Sequence, residues 1–417
     1  MIATRSRGYV VRTFGETIVA ALPAARVGDG VRVRSRGSRT IAGRVATVER
    51  SRAAIVPFES VCDVAVGDVV EVAPESLECV LGFGILGRAI DASGRALDGR
   101  DPPRGLRRRV AGEVPPPMER RPILEVFSTG IPAIDGLLTL GRGARIGIFG
   151  LPGTGKTTLL ERLVQGARAD AVVVGLVGER GREAQRWLER LEKRTTIVAA
   201  TSDRSPAERI RAAEIALAHA TYLRERGLHV LLVVDSLARY AAALRERASA
   251  LGEPAGRGGY AASVWSEFNR YVEGAGTATR GSVTFVASVL ADADDERDPV
   301  CGAARAALDG HIVLAPRLAR AGRFPAIDVL ASASRTMDVV VDDGHRRAAS
   351  AVRETLALLE ATAELRAAGL GDREAAPLAR ALQLEPALEE FLRQSGPSGF
   401  ETTRRRLAEL ASAMQNV

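Results

Sequence analysis

Long apolar runs are missing from this 417-residue chain. No stretch approaches the ~18–20 consecutive apolar residues of a membrane-spanning helix, so membrane association is expected to run through a partner. Residues 1–7 lead into a strand-like stretch and hold no signal-peptide core. Cysteine is scarce. Cys62, Cys79 and Cys301 are widely spaced and form no metal-type cluster, which predicts buried, reduced thiols in a cytosolic protein. His219, His229, His311 and His345 lack metal spacing and read as structural or exposed. Lysine is nearly absent: of 58 basic residues only Lys156 and Lys193 are lysines. The formal net charge of +7 would suit nucleic acid or an acidic membrane surface. The arginines, however, are spread along the chain and interleaved with acids, so a codon bias towards Arg, Ala and Gly explains them at least as well. No specific nucleic-acid partner is expected.

What is present is ample apolar material, 46% of the residues, and a length that suits about two or three domains. One stretch organises the rest. Gly150, Leu151, Pro152, Gly153, Thr154, Gly155, Lys156 and Thr157 match the pattern G-x-x-x-x-G-K-[ST]. Residues 144–149 before it read as a buried strand, and residues 158–164 after it as a helix. Glycines let successive backbone N–H groups point inward at phosphate oxygens, and the helix N-terminus adds partial positive charge. Lys156 is placed to reach the β- and γ-phosphates, and the Thr157 hydroxyl to ligate Mg²⁺. The expected nucleotide-binding set is residues 150–157 together with Thr158.

The flanking regions differ in pattern. Residues 1–82 carry short β-branched runs, several of them separated by glycine-containing breaks, and predict a small β-barrel. Its aromatics are few (Tyr9, Phe14, Phe58), whereas a barrel that binds single strands needs stacking platforms. Residues 83–122 are turn- and proline-rich and read as a linker. Residues 123–344 alternate strands and helices, predicting an α/β fold with a parallel sheet. Residues 345–417 turn Ala/Leu/Glu/Arg-rich. Helices are expected over 351–367, 375–383, 386–393 and 401–414, separated by Gly- or Pro-containing breaks.

Ligands bind at the carboxyl ends of parallel strands, which singles out two acids. Asp235 directly follows the apolar run 230–234 and is placed to hold Mg²⁺; the plain alternative is an ordinary strand-ending acid. Glu179 follows the strand ending at Val177 and is placed to orient an attacking water. A helix cap or a solvated charge would use the same position.

Four motifs make the resemblance specific. They are Val177-Gly178-Glu179-Arg180-Gly181-Arg182-Glu183, Asp235-Ser236-Leu237-Ala238-Arg239-Tyr240, Leu308-Asp309-Gly310-His311-Ile312-Val313-Leu314, and the run from Phe324-Pro325-Ala326-Ile327-Asp328 to Ser334-Arg335. With the phosphate loop, and in this order, they resemble the type III secretion ATPase family of flagellar and virulence export ATPases, itself similar to the catalytic subunit of rotary ATP synthases. The resemblance implies a RecA-like core between a β-barrel and a helical domain, with ATP and Mg²⁺ as cofactors. Glu179 matches the catalytic glutamate. Arg180 and Arg239 match charged residues around it and the γ-phosphate. Phe324 matches the aromatic that packs on adenine, and Arg335 an arginine finger reaching a neighbouring subunit.

The resemblance also implies a homohexamer, a central stalk protein facing the acidic loop 291–299, a stator or regulator protein, and chaperone–substrate complexes. The expected location is the cytoplasm, peripheral to the inner-membrane export apparatus. The segment before the barrel is shorter than in relatives that bind a regulator there, and residues 360–365 lack the family's usual aromatic. The rival readings are a rotary ATP synthase or proton-pump subunit, a hexameric RNA translocase, and a noncatalytic nucleotide-binding scaffold.

Overall fold

The computed structural model describes residues 6–37, 39–110, 114–290, 298–368, 376–394 and 396–415. By its internal contacts the chain forms two compact units, Met1–Pro115 with Ala171–Ala275, and Pro116–Asp170 with Gly276–Val417.

The first unit opens with a barrel of β1 (Arg7–Phe14), β2 (Thr17–Ala21), β3 (Gly30–Arg34), β4 (Thr40–Glu49), β5 (Arg52–Pro57) and β6 (Val69–Val72). The order β1-β2-β5-β4-β3-β6 closes through antiparallel pairing of β6 with β1. Closure leaves no unpaired strand edge. Alternate residues point inward, among them Val10, Ile18, Val31, Val33, Ile41, Val45, Ile55 and Val70, and each buried Val or Ile contributes ~1.5–3 kcal/mol. Phe58 is buried beneath the Arg211 guanidinium, 3.9 Å from its ring centroid, and so offers no stacking face.

The same unit holds four parallel strands in the order Ala89–Asp91, Thr195–Ala200, Ala171–Val177, His229–Asp235. The last two are buried at every position, which is why they read as unbroken apolar runs instead of alternating ones. Ala89–Asp91 comes from the stretch read as linker, as does Leu106–Arg109, which pairs antiparallel with Glu78–Leu81. Arg88 anchors that stretch through a two-point contact with Asp98, at 2.7 and 3.1 Å.

In the second unit Arg145–Gly150 runs parallel to Ser282–Leu290 on one side and to Gly310–Leu314 on the other. Ile327–Ser334 pairs antiparallel with Gly310–Leu314. The C-terminal helices Asp343–Ala361, Ala363–Ala367, Ala376–Leu392 and Phe400–Gln415 follow. One helix expectation is corrected. The break at Pro386 is absent, and Ala376–Leu392 is continuous with the proline inside it. An interior proline costs ~3 kcal/mol or more. Burial of Leu378, Leu388, Phe391 and Leu392 along that helix, at ~1.5–3 kcal/mol each, outweighs it. The acidic stretch 291–297, expected to face the central stalk, and Ala375 lie outside the described residues. No helix among the described residues is long and apolar enough to cross a membrane.

Candidate active site

The phosphate loop leaves the carboxyl end of a buried strand. Ile146, Ile148 and Phe149 anchor Arg145–Gly150 in the core, and Leu159, Leu160 and Leu163 anchor the following helix Lys156–Gly166. Between them Gly153 and Gly155 take left-handed φ values of 83° and 92°, a conformation that strains residues with a side chain. Leu151, Pro152, Gly153 and Thr158 are exposed, and Lys156 and Thr157 are half-buried. The Lys156 ammonium donates to the carbonyls of Gly150 and Leu151, both at 2.8 Å. The helix starts after Gly155, which has no side chain to cap it. A helix start without a side-chain cap suits a phosphate group, so the loop fits ATP. The Phe324 ring lies against this loop, with Cδ1 and Cε1 4.0 Å from where a side chain on Gly155 would begin. Phe324 remains 45% exposed, leaving ring surface available for stacking.

The acids belong to the other unit. Leu176 pairs with Asp235 across neighbouring parallel strands, so Glu179 and Asp235 emerge at the same carboxyl end. Both are buried, at 6% and 4% exposure. Arg239 clamps the turn twice: its Nε sits 3.0 Å from Glu179 Oε1, and its Nη1 donates to the Gly178 carbonyl at 2.5 Å. A side chain on Gly178 would come within 3.2–3.3 Å of Arg239 and Arg209, and φ there is 71°. Burial, the neighbouring Asp235 charge and a hydrogen bond with Glu183 push the Glu179 carboxyl up to about 8, while Arg239 pulls the other way. Arg180 is exposed and precedes the helix Gly181–Glu189.

A buried carboxylate with a raised pKa, clamped by an arginine, is suited to accept a proton from water. Asp235 is a buried acid at a strand end, as Mg²⁺ ligation requires. Among the described residues no group of three or more His, Cys, Asp or Glu could hold a metal ion. A metal held by one or two side chains plus phosphates, the usual Mg²⁺ arrangement, needs no such group.

Arg335 follows the strand Ile327–Ser334, with its backbone N–H donating to the Asp309 carbonyl at 2.9 Å. Its side chain is exposed and forms no ion pair among the described residues. Sequence reasoning assigned no role to Glu183 or Arg209. The four-residue spacing from Glu179 to Glu183 was the available signal for the first; Arg209 had none, because its approach to Gly178 is tertiary.

Comparison with known proteins bears on the whole chain. Residues 130–334 match the ATP synthase alpha/beta family, nucleotide-binding domain. The Type 3 secretion system ATPase of Sinorhizobium fredii is 40% identical over 97% of this chain and 92% of its own length. The flagellum-specific ATP synthase of Pseudomonas aeruginosa is 37% identical over 98% of this chain and 94% of its own. Among solved structures, the assembled ATPase EscN of the enteropathogenic E. coli type III secretion system superposes with a TM-score of 0.90 at 36% identity, covering 97% of this chain and 100% of that one. EscN in complex with its central stalk EscO gives 0.88. The EscN structure matches the barrel, the α/β nucleotide-binding core and the C-terminal helices, and the named relatives favour neither the RNA translocase nor the scaffold. The chain therefore belongs to the type III secretion and flagellar export ATPase family, and it is an ATP-binding ATPase.

Proposed function

We propose that this ATPase couples Mg²⁺-dependent hydrolysis to the release and unfolding of export substrates at the cytoplasmic face of a type III secretion system. The observation that carries the catalytic part is the buried Glu179 carboxyl, clamped by Arg239 beside Asp235. Backbone N–H groups of residues 150, 151 and 153–158, Pro152 having none, and the Lys156 ammonium bind the phosphates. Phe324 packs on adenine. Thr157 and Asp235 hold Mg²⁺, which when bound neutralises charge on the phosphates. Ionised Glu179 takes a proton from water as the water oxygen bonds to the γ-phosphorus and the bond to the leaving β-phosphate oxygen breaks, giving ADP and phosphate. Arg239 holds Glu179 in place, and Arg180 lines the γ-phosphate side.

Arg335 acts on a neighbouring subunit's phosphates in a homohexamer. Its exposure without an ion pair among the described residues supports this, as does the assembled state in which EscN was solved. A central stalk partner is supported by the EscN–EscO complex. A stator or regulator and chaperone–substrate complexes complete the partners. On this reading residues 1–82 are the barrel domain, 83–122 a linker that lends the strand Ala89–Asp91 to the parallel sheet, 123–344 the ATPase core and 345–417 the helical domain, in a cytoplasmic protein that docks on the inner-membrane export apparatus.

Subunit mixing tests the oligomeric site. Arg335→Ala is expected to bind nucleotide normally and to lose ~10³-fold or more in rate, the value of a finger on transition-state charge. Mixed with Lys156→Ala under verified subunit exchange, it should regain activity, because an intact loop then meets an intact finger. No recovery, together with full activity in a dilute monomer, rejects the arrangement.

A further inference from the structure

The turn that carries Phe324 is tied to a segment far along the chain. The Gln394 backbone N–H donates to the Phe324 carbonyl at 3.1 Å. Arg323, next to Phe324, pairs through Nη1 with Glu389 Oε1 at 2.5 Å, and its side chain is only 14% exposed. Glu389 also meets Arg393 at 3.5 Å. Glu389 lies in the last turn of the helix Ala376–Leu392, and Gln394 lies two residues beyond it.

The same segment also holds the phosphate-loop helix Lys156–Gly166. The Gln394 carbonyl accepts from Arg162 Nη1, on the phosphate-loop helix, at 3.2 Å. Gln394 Nε2 donates to the Gly130 carbonyl at 2.6 Å, which also accepts from the Ser398 N–H at 2.9 Å. Gly130 in turn lies against Gly166, at the end of the phosphate-loop helix, where a side chain on it would meet the Gly166 Cα at 3.1 Å.

Phe324 itself is nearly half exposed and sits in a turn between the helix Pro316–Arg320 and the strand Ile327–Ser334. An aromatic ring with that much solvent around it gains little fixity from packing, so the bonds to its own turn set where it stands. We propose that Glu389 and Gln394 are positioning residues for nucleotide binding: they hold the Arg323–Phe324 turn against the phosphate loop and so link the C-terminal helices to affinity for adenine nucleotides. The proposal rests on Phe324 being the adenine platform. A loosened turn must be ordered at the moment of binding, which weakens ATP and ADP alike. Binding lost equally from ground and transition states raises KM and spares kcat.

The test uses the full chain with Glu389→Gln, Glu389→Ala and Gln394→Pro, which deletes the backbone N–H donated to Phe324, the exchange Arg323→Glu with Glu389→Arg, and Phe324→Ala. Three quantities are measured: KM and kcat for ATP, Kd for ADP, and inhibition by tripolyphosphate, which has phosphates but no ring. The Glu389 and Gln394 variants are expected to raise KM and Kd about three- to tenfold, the scale of one lost hydrogen bond or ion pair, with kcat within about twofold and tripolyphosphate inhibition unchanged. The exchange should return both towards the original values. Unchanged KM and Kd in these variants, with a raised KM in Phe324→Ala, overturns the positioning role and leaves the platform standing. Joint loss of kcat and tripolyphosphate inhibition, with no rescue by the exchange, also overturns it by showing general damage. No effect from Phe324→Ala overturns the platform itself.

Discussion

The phosphate loop and the Gly178–Glu179 turn each follow a largely buried parallel strand, yet they are made of different things. The loop is mostly backbone: two left-handed glycines, a helix start without a side-chain cap, and one lysine held by two carbonyls of its own loop. Its components lie within a few residues of one another. The turn is mostly side chain. Glu179 takes its charge state from burial first and then from Asp235, Glu183 and Arg239, and Gly178 is crowded by Arg209 and Arg239. These come from three further segments. Backbone sites are specified by local conformation and bind a constant charge. Side-chain sites are specified by packing, and their chemistry moves with the protonation of their neighbours.

Three substitutions sharpen that contrast. The largest effect is expected from Lys156→Ala, which removes the one side-chain cation the loop contributes. Turnover should vanish while circular dichroism and thermal melting stay as they were; near-normal ATPase rates would take the loop out of the chemistry. Glu179→Gln keeps the shape of the side chain and deletes the proton acceptor. It is expected to bind ATP and to lower kcat ~10²–10⁴-fold, the usual worth of a general base. Lost binding with a normal maximal rate would deny Glu179 that role.

The smallest effect is the most diagnostic of the side-chain site. A base works only when ionised, and kcat/KM reads the free enzyme. With the Glu179 pKa raised to about 8, kcat/KM should climb as pH rises from about 6 to 9 and fall away below about 8. Arg239→Gln removes a charge that lowers this pKa, so the limb should move to higher pH. A flat profile in the original chain, or an unmoved limb in the variant, would separate Glu179 from the proton transfer.

Much of this was legible in the residues. Short β-branched runs between glycine breaks specify a barrel, because each strand has one inward face. Continuous runs such as residues 171–177 and 230–234 specify buried parallel strands, and the acid just past each run lands at the ligand-binding end. Less legible was the stretch 83–122, where Ala89–Asp91 pairs with Thr195–Ala200 although three residues carry too little pattern to announce a strand. Pro386 misled for a related reason. Local preference says break, and burial of one helix face overrides it.

The sequence by itself determined the phosphate loop, the order of the motifs and the membership of this family, because each is written in contiguous residues whose backbone or periodicity has one physical solution. Only the tertiary structure decided the rest. It brought Arg239 onto Glu179 from sixty residues away in the chain, raised the Glu179 pKa by burial beside a second acid, left Arg335 without an ion pair among the described residues, and tied Phe324 to Gln394. Charge states and side-chain distances depend on which segments are packed together, and no local pattern in one segment records the identity of its neighbours in space.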